Sequence, residues 1–572
     1  VDARAEAALA AWRPLARIGY AFPKSFSLRA LLRCVCAARD LVAWRGADFL
    51  HAARLGMRMT GSGTAAGLGA SPGGESRAFA VRPAPLWILW LGLAVLLMQA
   101  APYLSYRWLP DESWYAATGY SAEQGTGFKD VALAPNDIEG RIDTRPPGTA
   151  LSAALIFRTL GVSAAKARLA PLLAGLGIVS LVFLFARQVF DEASTLIAVL
   201  LAACDTFVVG ASRTVRPEAL TTLFVMLALL ALLGYSRRGR WIFALLAGMA
   251  MGVGALCHIT IGGFIAACAV LVFVLDVRRG VLPVRGVACF LAGFFAALLP
   301  FVLWVWRSPL GVEGFRQEYT GRAGASSLAR RLMHEGTRYR DFLGIGYLHG
   351  RLSWLPLRVA VPLLFLAASV VVWRYRRAWF GVEVLMVLLP AMWLVYTVNK
   401  TSRYFALFAP VFALTIAAAV FLTRDRARVR RWLLIGAAAV IALQFFANLA
   451  LLRAARNANY TAVGRQLRAM IPRGSATYGT ITFWLAMHDS PYISYERTDP
   501  WQAADDFHAR YFIAGDKVMT QGLPGDEAFY DALREHMAQI AAQSDVVGTI
   551  HGGYYGDLTV LRLHDGAHAP GR

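Results

Sequence analysis

The chain is a succession of long uncharged runs divided by short basic breaks. Ile88–Met98 reads ILWLGLAVLLM, Leu176–Ala186 reads LGIVSLVFLFA and Phe224–Leu233 reads FVMLALLALL. With their flanks such runs reach the roughly 20 residues that a helix needs to cross about 30 Å of hydrocarbon. They are apolar all round, which excludes an amphipathic helix with one face in water. The pattern predicts about eleven spans: 86–104, 169–189, 192–211, 217–235, 241–257, 259–276, 286–306, 354–373, 379–398, 403–422 and 432–452. The fold class expected is therefore an all-α polytopic membrane protein, with a small α/β domain at its C-terminal end.

The basic breaks orient these spans, because Lys and Arg gather in cytoplasmic turns. With a cytoplasmic N-terminus, the inside turns hold Arg187, Arg237-Arg238-Gly-Arg240, Arg278-Arg279, Arg374-Tyr-Arg376-Arg377 and the run Arg424 to Arg431. An odd number of spans then leaves the C-terminal region outside, as in a multi-pass protein of the plasma (inner) membrane. Residues 1–85 are basic, rich in Gly, Ser and Ala over Gly61–Glu75, and read as a mobile cytoplasmic extension. The membrane module is 86–452, with outer loops 105–168 and 307–353 too long to be simple turns. The remainder, 453–572, reads as an extracytoplasmic soluble domain. In it Ala476–Leu485 and Tyr554–Leu563 have strand character, and Asp526–Ala542 has helical spacing.

Composition agrees: 57% of residues are hydrophobic and 16% charged, against about a quarter charged in soluble proteins. The formal charge of +22 suggests nucleic acid only until its distribution is seen, since the cations lie in turns between spans. Cys34 and Cys36 lie in the N-terminal segment, and Cys204, Cys257, Cys268 and Cys289 in or beside apolar runs. No extracytoplasmic disulfide framework follows from that placement.

Candidate chemistry gathers on the outer side. Asp111-Glu112 directly follows the first span; a paired carboxylate there suits a general base and its partner, or a plain helix start capped by Asp111 near Glu112. The same loop closes with Asp143-Thr-Arg145-Pro-Pro-Gly148, where the prolines make a rigid turn into a new helix, a role that leaves Arg145 unexplained and points to an anionic partner. Ser212-Arg213-Thr-Val-Arg216-Pro-Glu218 precedes the fourth span. Pro217 and Glu218 suit a first helical turn, but Arg213 and Arg216 oppose the topology bias. Asn399-Lys400-Thr-Ser-Arg403-Tyr404 repeats the anomaly. A lipid phosphate at membrane level explains these cations; ordinary head-group anchoring is the rival. Asp205 in the third span and His258 after the fifth are ionisable residues at membrane depth, functional candidates by position. Acidic loop residues leave room for a divalent ion, but no ligand set has metal-like spacing, and no cofactor is implied.

In order and topological side these segments resemble the C-type membrane glycosyltransferases, nearest to the protein O-mannosyltransferases and the lipid A aminoarabinose transferases. The resemblance rests on Asp111, Glu112 and Tyr115, then Arg145-Pro146-Pro147. It continues through Gly161-Val-Ser-Ala-Ala-Lys-Ala-Arg168, the arginine-rich lead-in to Pro217-Glu218, and Lys400-x-x-Arg403-Tyr404 with Pro410. It covers about 86–420. The chain departs at Arg145, where the family often has His or Lys, at Gly148, where it has Leu, and at His258, where Lys is common. The resemblance implies transfer of a hexosyl or pentosyl group, with inversion, from a polyprenyl-phosphate-linked sugar donor to an acceptor hydroxyl on a lipid, glycan or protein at the outer face. Asp111 would be the base, Glu112 its support, and Arg213, Arg216, Lys400 and Arg403 would hold the donor phosphate. Tyr115, Arg145, Glu218, His258 and Tyr404 would line the cavity. Two other classes compete: a secondary transporter or lipid flippase, for which Asp205 is the main feature, and a non-catalytic assembly protein.

Overall fold

The computed structural model describes residues 84–129, 131, 146–307, 312, 355–375, 402–496, 498–521 and 527–567, all within one unit, Ala80–Arg572. Outside the described residues lie nearly all of the expected N-terminal extension, most of loop 307–353, the expected span 379–398, and Arg145 and Lys400.

The apolar runs form helices. In chain order they are α1 (Trp87–Ala100), α2 (Pro110–Glu123), α3 (Gly148–Leu160), the single turn α4 (Ala164–Ala167), α5 (Leu169–Val189), α6 (Glu192–Cys204) and α7 (Thr206–Ser212). There follow α8 (Pro217–Arg238), α9 (Trp241–Cys257), α10 (Gly262–Arg278), α11 (Pro283–Arg307), α12 (Leu355–Arg374), α13 (Ala409–Leu422) and α14 (Ala427–Ala455). Ten of the eleven expected spans coincide with these helices. By length and apolarity six described helices reach the requirement for crossing a membrane, or seven if the pair α6 and α7, bent by 55°, counts as one. Trp241–Cys257 and Ala409–Leu422 are apolar but shorter. Helices α1 and α5–α14 share one apolar core, in which Val179, Val199, Met226, Ala247, Phe264 and Ala417 are buried together, whereas α2, α3 and α4 bury their apolar residues in another cluster.

The break at Asp205 has a local cause. Its carboxylate leaves the helical path to cap α7, with Oδ1 accepting from the amides of Phe207 (2.9 Å) and Val208 (3.0 Å). Oδ2 accepts from the Gln444 amide at 3.2 Å. Nearby, Asn448 donates to Gln99 Oε1 and to the Cys204 carbonyl, both at 2.8 Å. Backbone groups freed at membrane depth need such partners, because hydrocarbon offers none. Asp205 is thus bound up in holding a bent helix.

Segment 105–168, expected as an outer loop, contains α2, α3 and α4, with α2 and α3 packed against each other. At Gly148, the first residue of α3, an added Cβ would lie 2.8 Å from both the Leu256 carbonyl oxygen and Cys257 Sγ. The close approach of α3 to the end of α9 accounts for glycine here in place of leucine.

Beyond α14 come α15 (Tyr460–Met470) and a mixed five-stranded sheet of order β2-β1-β3-β5-β4. Strands β1 (Thr477–Gly479), β2 (Tyr492–Ser494) and β3 (Tyr511–Ala514) run parallel; β5 (Leu558–Leu563) pairs antiparallel with β3 and with β4 (Ser544–Ile550). Short helices α16 (Pro500–Phe507) and α17 (Lys517–Gln521), with the longer α18 (Glu527–Ala542), complete the domain. The strand expected over Ala476–Leu485 is only partly one. It stops at Gly479, and Ile481–Met487 turns into a wholly buried 3-10 segment. The run reads ATYGTITFWL, a mixture of threonine, aromatic and aliphatic residues that suits either form, and here its second half packs in one cluster with α2. Likewise Tyr554–Asp557 is a loop, and β5 begins at Leu558.

Candidate active site

The site is assembled where α2 starts and where the chain returns between α7 and α8. Helix α2 begins at Pro110, with Leu109 as its N-cap in extended conformation. Asp111 is therefore not the cap expected from the sequence. The closing bond is made by Glu112, whose Oε2 accepts from the Leu109 amide at 3.0 Å; a carboxylate three residues into a helix is well placed to reach back.

Glu112 is occupied on both oxygens. Oε1 accepts from Arg168 Nε at 2.8 Å and from the Val215 amide at 2.9 Å, and Oε2 from Arg168 Nη2 at 2.7 Å. Both side chains of this forked pair are fully buried (0%). Arg168 gives its remaining donors to the backbone before α2: the carbonyls of Tyr103 (3.0 Å), Leu104 (3.2 Å), Tyr106 (2.8 Å) and Arg107. Its guanidinium also lies over the Trp108 ring, 4.9 Å from the centroid. A planar fork with five donors suits such a cluster of oxygens. Arg168 was absent from the expected site, though it ends the lead-in Gly161–Arg168 as a charged residue at the mouth of an apolar span. That position was the available signal.

Asp111, one residue earlier and partly exposed, points a different way. Its Oδ2 forms an ion pair with Arg216 Nη1. Arg216 Nε in turn donates to Glu218 Oε1 (3.2 Å) and Oε2 (3.4 Å). The return segment thus meets the first turn of α2 twice, through Arg216 to Asp111 and through the Val215 amide to Glu112. Arg213, nearly buried, lies over the Tyr103 ring at 4.4 Å.

The segment with Arg403 and Tyr404 closes on the same rim. It forms a 3-10 turn, Ser402–Leu407, and Ala406 is buried in one cluster with Ala211 and Ala219, on either side of the return segment. Phe405 packs on Phe207 at 5.8 Å, and the His258 ring lies 5.1 Å from that of Tyr404. His258 also caps the turn after α9, its Nδ1 accepting from the Thr260 amide at 3.1 Å. The Arg403 side chain, Lys400 and Arg145 lie outside what is described. Tyr115, on the second turn of α2, is half-buried and packs against the cluster that holds Trp108 and Tyr460. No group of three metal-ligating side chains occurs among the described residues.

The C-terminal domain reaches the same backbone. Trp108 is fully buried, with its ring stacked on Tyr460 at 5.5 Å and its indole N–H donating to Ser113 Oγ at 2.8 Å. The Trp108 amide donates to Tyr555 Oη at 2.8 Å, and the Tyr555 hydroxyl faces the Trp108 carbonyl oxygen at 3.4 Å. Burial raises the Tyr555 phenol above its ordinary range, so it stays neutral and can both accept and donate. Neither tyrosine was expected at the site.

A family profile described as dolichyl-phosphate-mannose-protein mannosyltransferase matches residues 144–306, a stretch with Arg168, the return segment and His258 but not Asp111. No curated protein matches the sequence. Among solved structures, ArnT from Cupriavidus metallidurans in the apo state is similar at 15% identity and a TM-score of 0.56, over 83% of this chain and 97% of that one. The same protein bound to undecaprenyl phosphate gives 14% identity and a TM-score of 0.54, over 85% and 99%. The archaeal oligosaccharyltransferase AglB from Archaeoglobus fulgidus, in complex with an inhibitory peptide and a dolichol-phosphate, gives 14% and 0.51, over 82% and 74%. The resemblance to C-type membrane glycosyltransferases holds, and the shared feature is the fold of a polytopic membrane protein.

Proposed function

We propose that the chain is an inverting glycosyltransferase of the C-type fold, moving a sugar from a polyprenyl-phosphate donor to an acceptor hydroxyl on a lipid, glycan or protein. The reaction runs at the outer face of the plasma membrane, with the N-terminus cytoplasmic and the C-terminal domain outside. The observation that carries this reading is the division of labour between two adjacent carboxylates. Glu112 is spent on a buried fork, whereas Asp111 stays partly exposed beside Arg216. The ArnT and AglB structures named above hold undecaprenyl phosphate and dolichol-phosphate, respectively, which supports a lipid-linked donor for this fold.

In the proposed step an acceptor hydroxyl attacks the anomeric carbon from the face opposite the phosphate. Its proton passes to Asp111 as the new C–O bond forms, and the old bond breaks with its electron pair on the departing polyprenyl phosphate. Arg216 and Arg213, with Lys400 and Arg403 from the facing segment, balance the charge that develops there. The donor phosphate competes with Asp111 for Arg216, so binding releases the base at the moment it is needed. Tyr115, Glu218, His258, Tyr404 and Arg145 are assigned to the walls of the cavity. The transporter reading loses its main feature, since Asp205 is engaged as a helix cap.

The test is Asp111→Asn in purified, folded protein. Turnover should fall by roughly 10²–10⁴, with the anomeric configuration of the wild-type product read by NMR. Near-normal turnover would remove Asp111 as the base, and a retained configuration would remove the single displacement.

A further inference from the structure

Backbone groups of Tyr103, Leu104, Tyr106, Arg107 and Trp108, just before α2, are held by two parts of the molecule that are far apart in sequence. Arg168 takes the carbonyls of Tyr103, Leu104, Tyr106 and Arg107 from the membrane side. The amide and carbonyl of Trp108, three residues before Asp111, face Tyr555 from the C-terminal domain. Tyr555 is itself delivered by the loop Gly552-Gly-Tyr-Tyr-Gly-Asp557, between β4 and β5. Gly552, Gly553 and Gly556 have φ of +71°, +92° and +88°, a region open to glycine and costly for other residues. The Tyr555 carbonyl accepts from the Lys517 amide at 2.8 Å, tying the loop to the start of α17. Its neighbour Tyr554 lies under the Arg107 guanidinium at 4.1 Å.

We propose that Tyr555 is a positioning residue for the reaction: its hydroxyl fixes the Trp108 peptide, and through it the first turn of α2 and the direction of the Asp111 carboxylate. The Gly-Gly-Tyr-Tyr-Gly loop makes the C-terminal domain an integral part of the active site. This rests on the functional reading given above. The reason is geometric: a buried amide must have a partner, and the partner that the Trp108 amide has is the Tyr555 hydroxyl. A base displaced by an ångström or so loses much of its effect while substrate binding is untouched.

The experiment compares Tyr555→Phe with wild type in the full chain, reconstituted in nanodiscs of phosphatidylcholine and phosphatidylglycerol. Phenylalanine keeps the ring packing and removes only the hydroxyl. Hydrogen exchange at the Trp108 amide should rise by about ten-fold or more. With an undecaprenyl-phosphate-linked sugar as donor, kcat should fall about ten-fold at unchanged donor KM. Tyr478→Phe is the control: Tyr478 is buried in the same domain and donates to the Thr498 carbonyl at 2.9 Å. Its loss should leave both readouts at wild-type values. Unchanged exchange and kcat in Tyr555→Phe would overturn the proposal. So would a raised KM at constant kcat, or an equal loss in Tyr478→Phe. If wild type itself transfers no sugar from any polyprenyl-phosphate donor, the functional reading fails instead, and exchange at Trp108 alone decides whether the clamp exists.

Discussion

Arg168 has given up water entirely and recovered its hydrogen bonds from one carboxylate and a row of peptide carbonyls. Taking a charge out of water costs several kcal/mol, returned only when the partners are complete. Breaking such a pair is therefore worse than lacking it. Arg168→Met leaves Glu112 buried without its counter-charge and should destabilise the fold by about 3–5 kcal/mol. That loss is read as a lowered denaturation midpoint in detergent. Glu112→Gln should likewise act mainly on stability. A large fall in its turnover at an unchanged midpoint would give Glu112 a chemical role instead. In the sequence Asp111 and Glu112 stand side by side after the first apolar run, with nothing to separate their tasks. The separation depends on Arg168, 56 positions away, and no local pattern pairs the two.

Among the elements, the spans were the most legible part, because a bilayer imposes a length and basic turns mark the ends. Trp241–Cys257 was found to the residue: Arg240 precedes it and His258 turns the chain after it. The bend at Asp205 was less legible, since a carboxylate at membrane depth reads equally as a ligand site or a cap. Asp205→Ala removes the acceptor for two amides and for Gln444. It should cost about 1–2 kcal/mol, as N-cap losses do, and leave turnover of the remaining folded protein near normal. A loss of sugar transfer at unchanged stability would return Asp205 to the functional candidates. The run Ala476–Leu485 was misjudged because the alternation of threonine with apolar residues continues through Thr480-Ile481-Thr482-Phe483, past Gly479, where the strand gives way to a buried turn. The order of the sheet was not legible either, since the pairing of β3 with β5 joins segments that share no sequence signal.

At the scale of the whole molecule, the membrane module and the C-terminal sheet do not have separate cores where they meet. Trp108, Ala116, Ala117 and Val215 are buried in one cluster with Tyr460, Ile481, Phe483 and Tyr555. A chain ended after Arg456 should expose this apolar surface beside the site. We expect it to lose a single symmetric peak in size-exclusion chromatography and to lose turnover, even with every helix of the membrane module present. A truncated chain that stays monodisperse and active would show that the shared cluster is dispensable.

The bond between the Trp108 amide and Tyr555 joins positions 447 apart. A ribosome adding about 5–20 residues per second needs roughly 20–90 seconds to make the second partner after the first. During that interval the spans can insert and pack while the peptide ahead of Asp111 still lacks its last hold. If Tyr555 acts as proposed, catalytic competence arrives late in synthesis, and a chain stalled short of its β4–β5 loop should sit in the membrane without turnover.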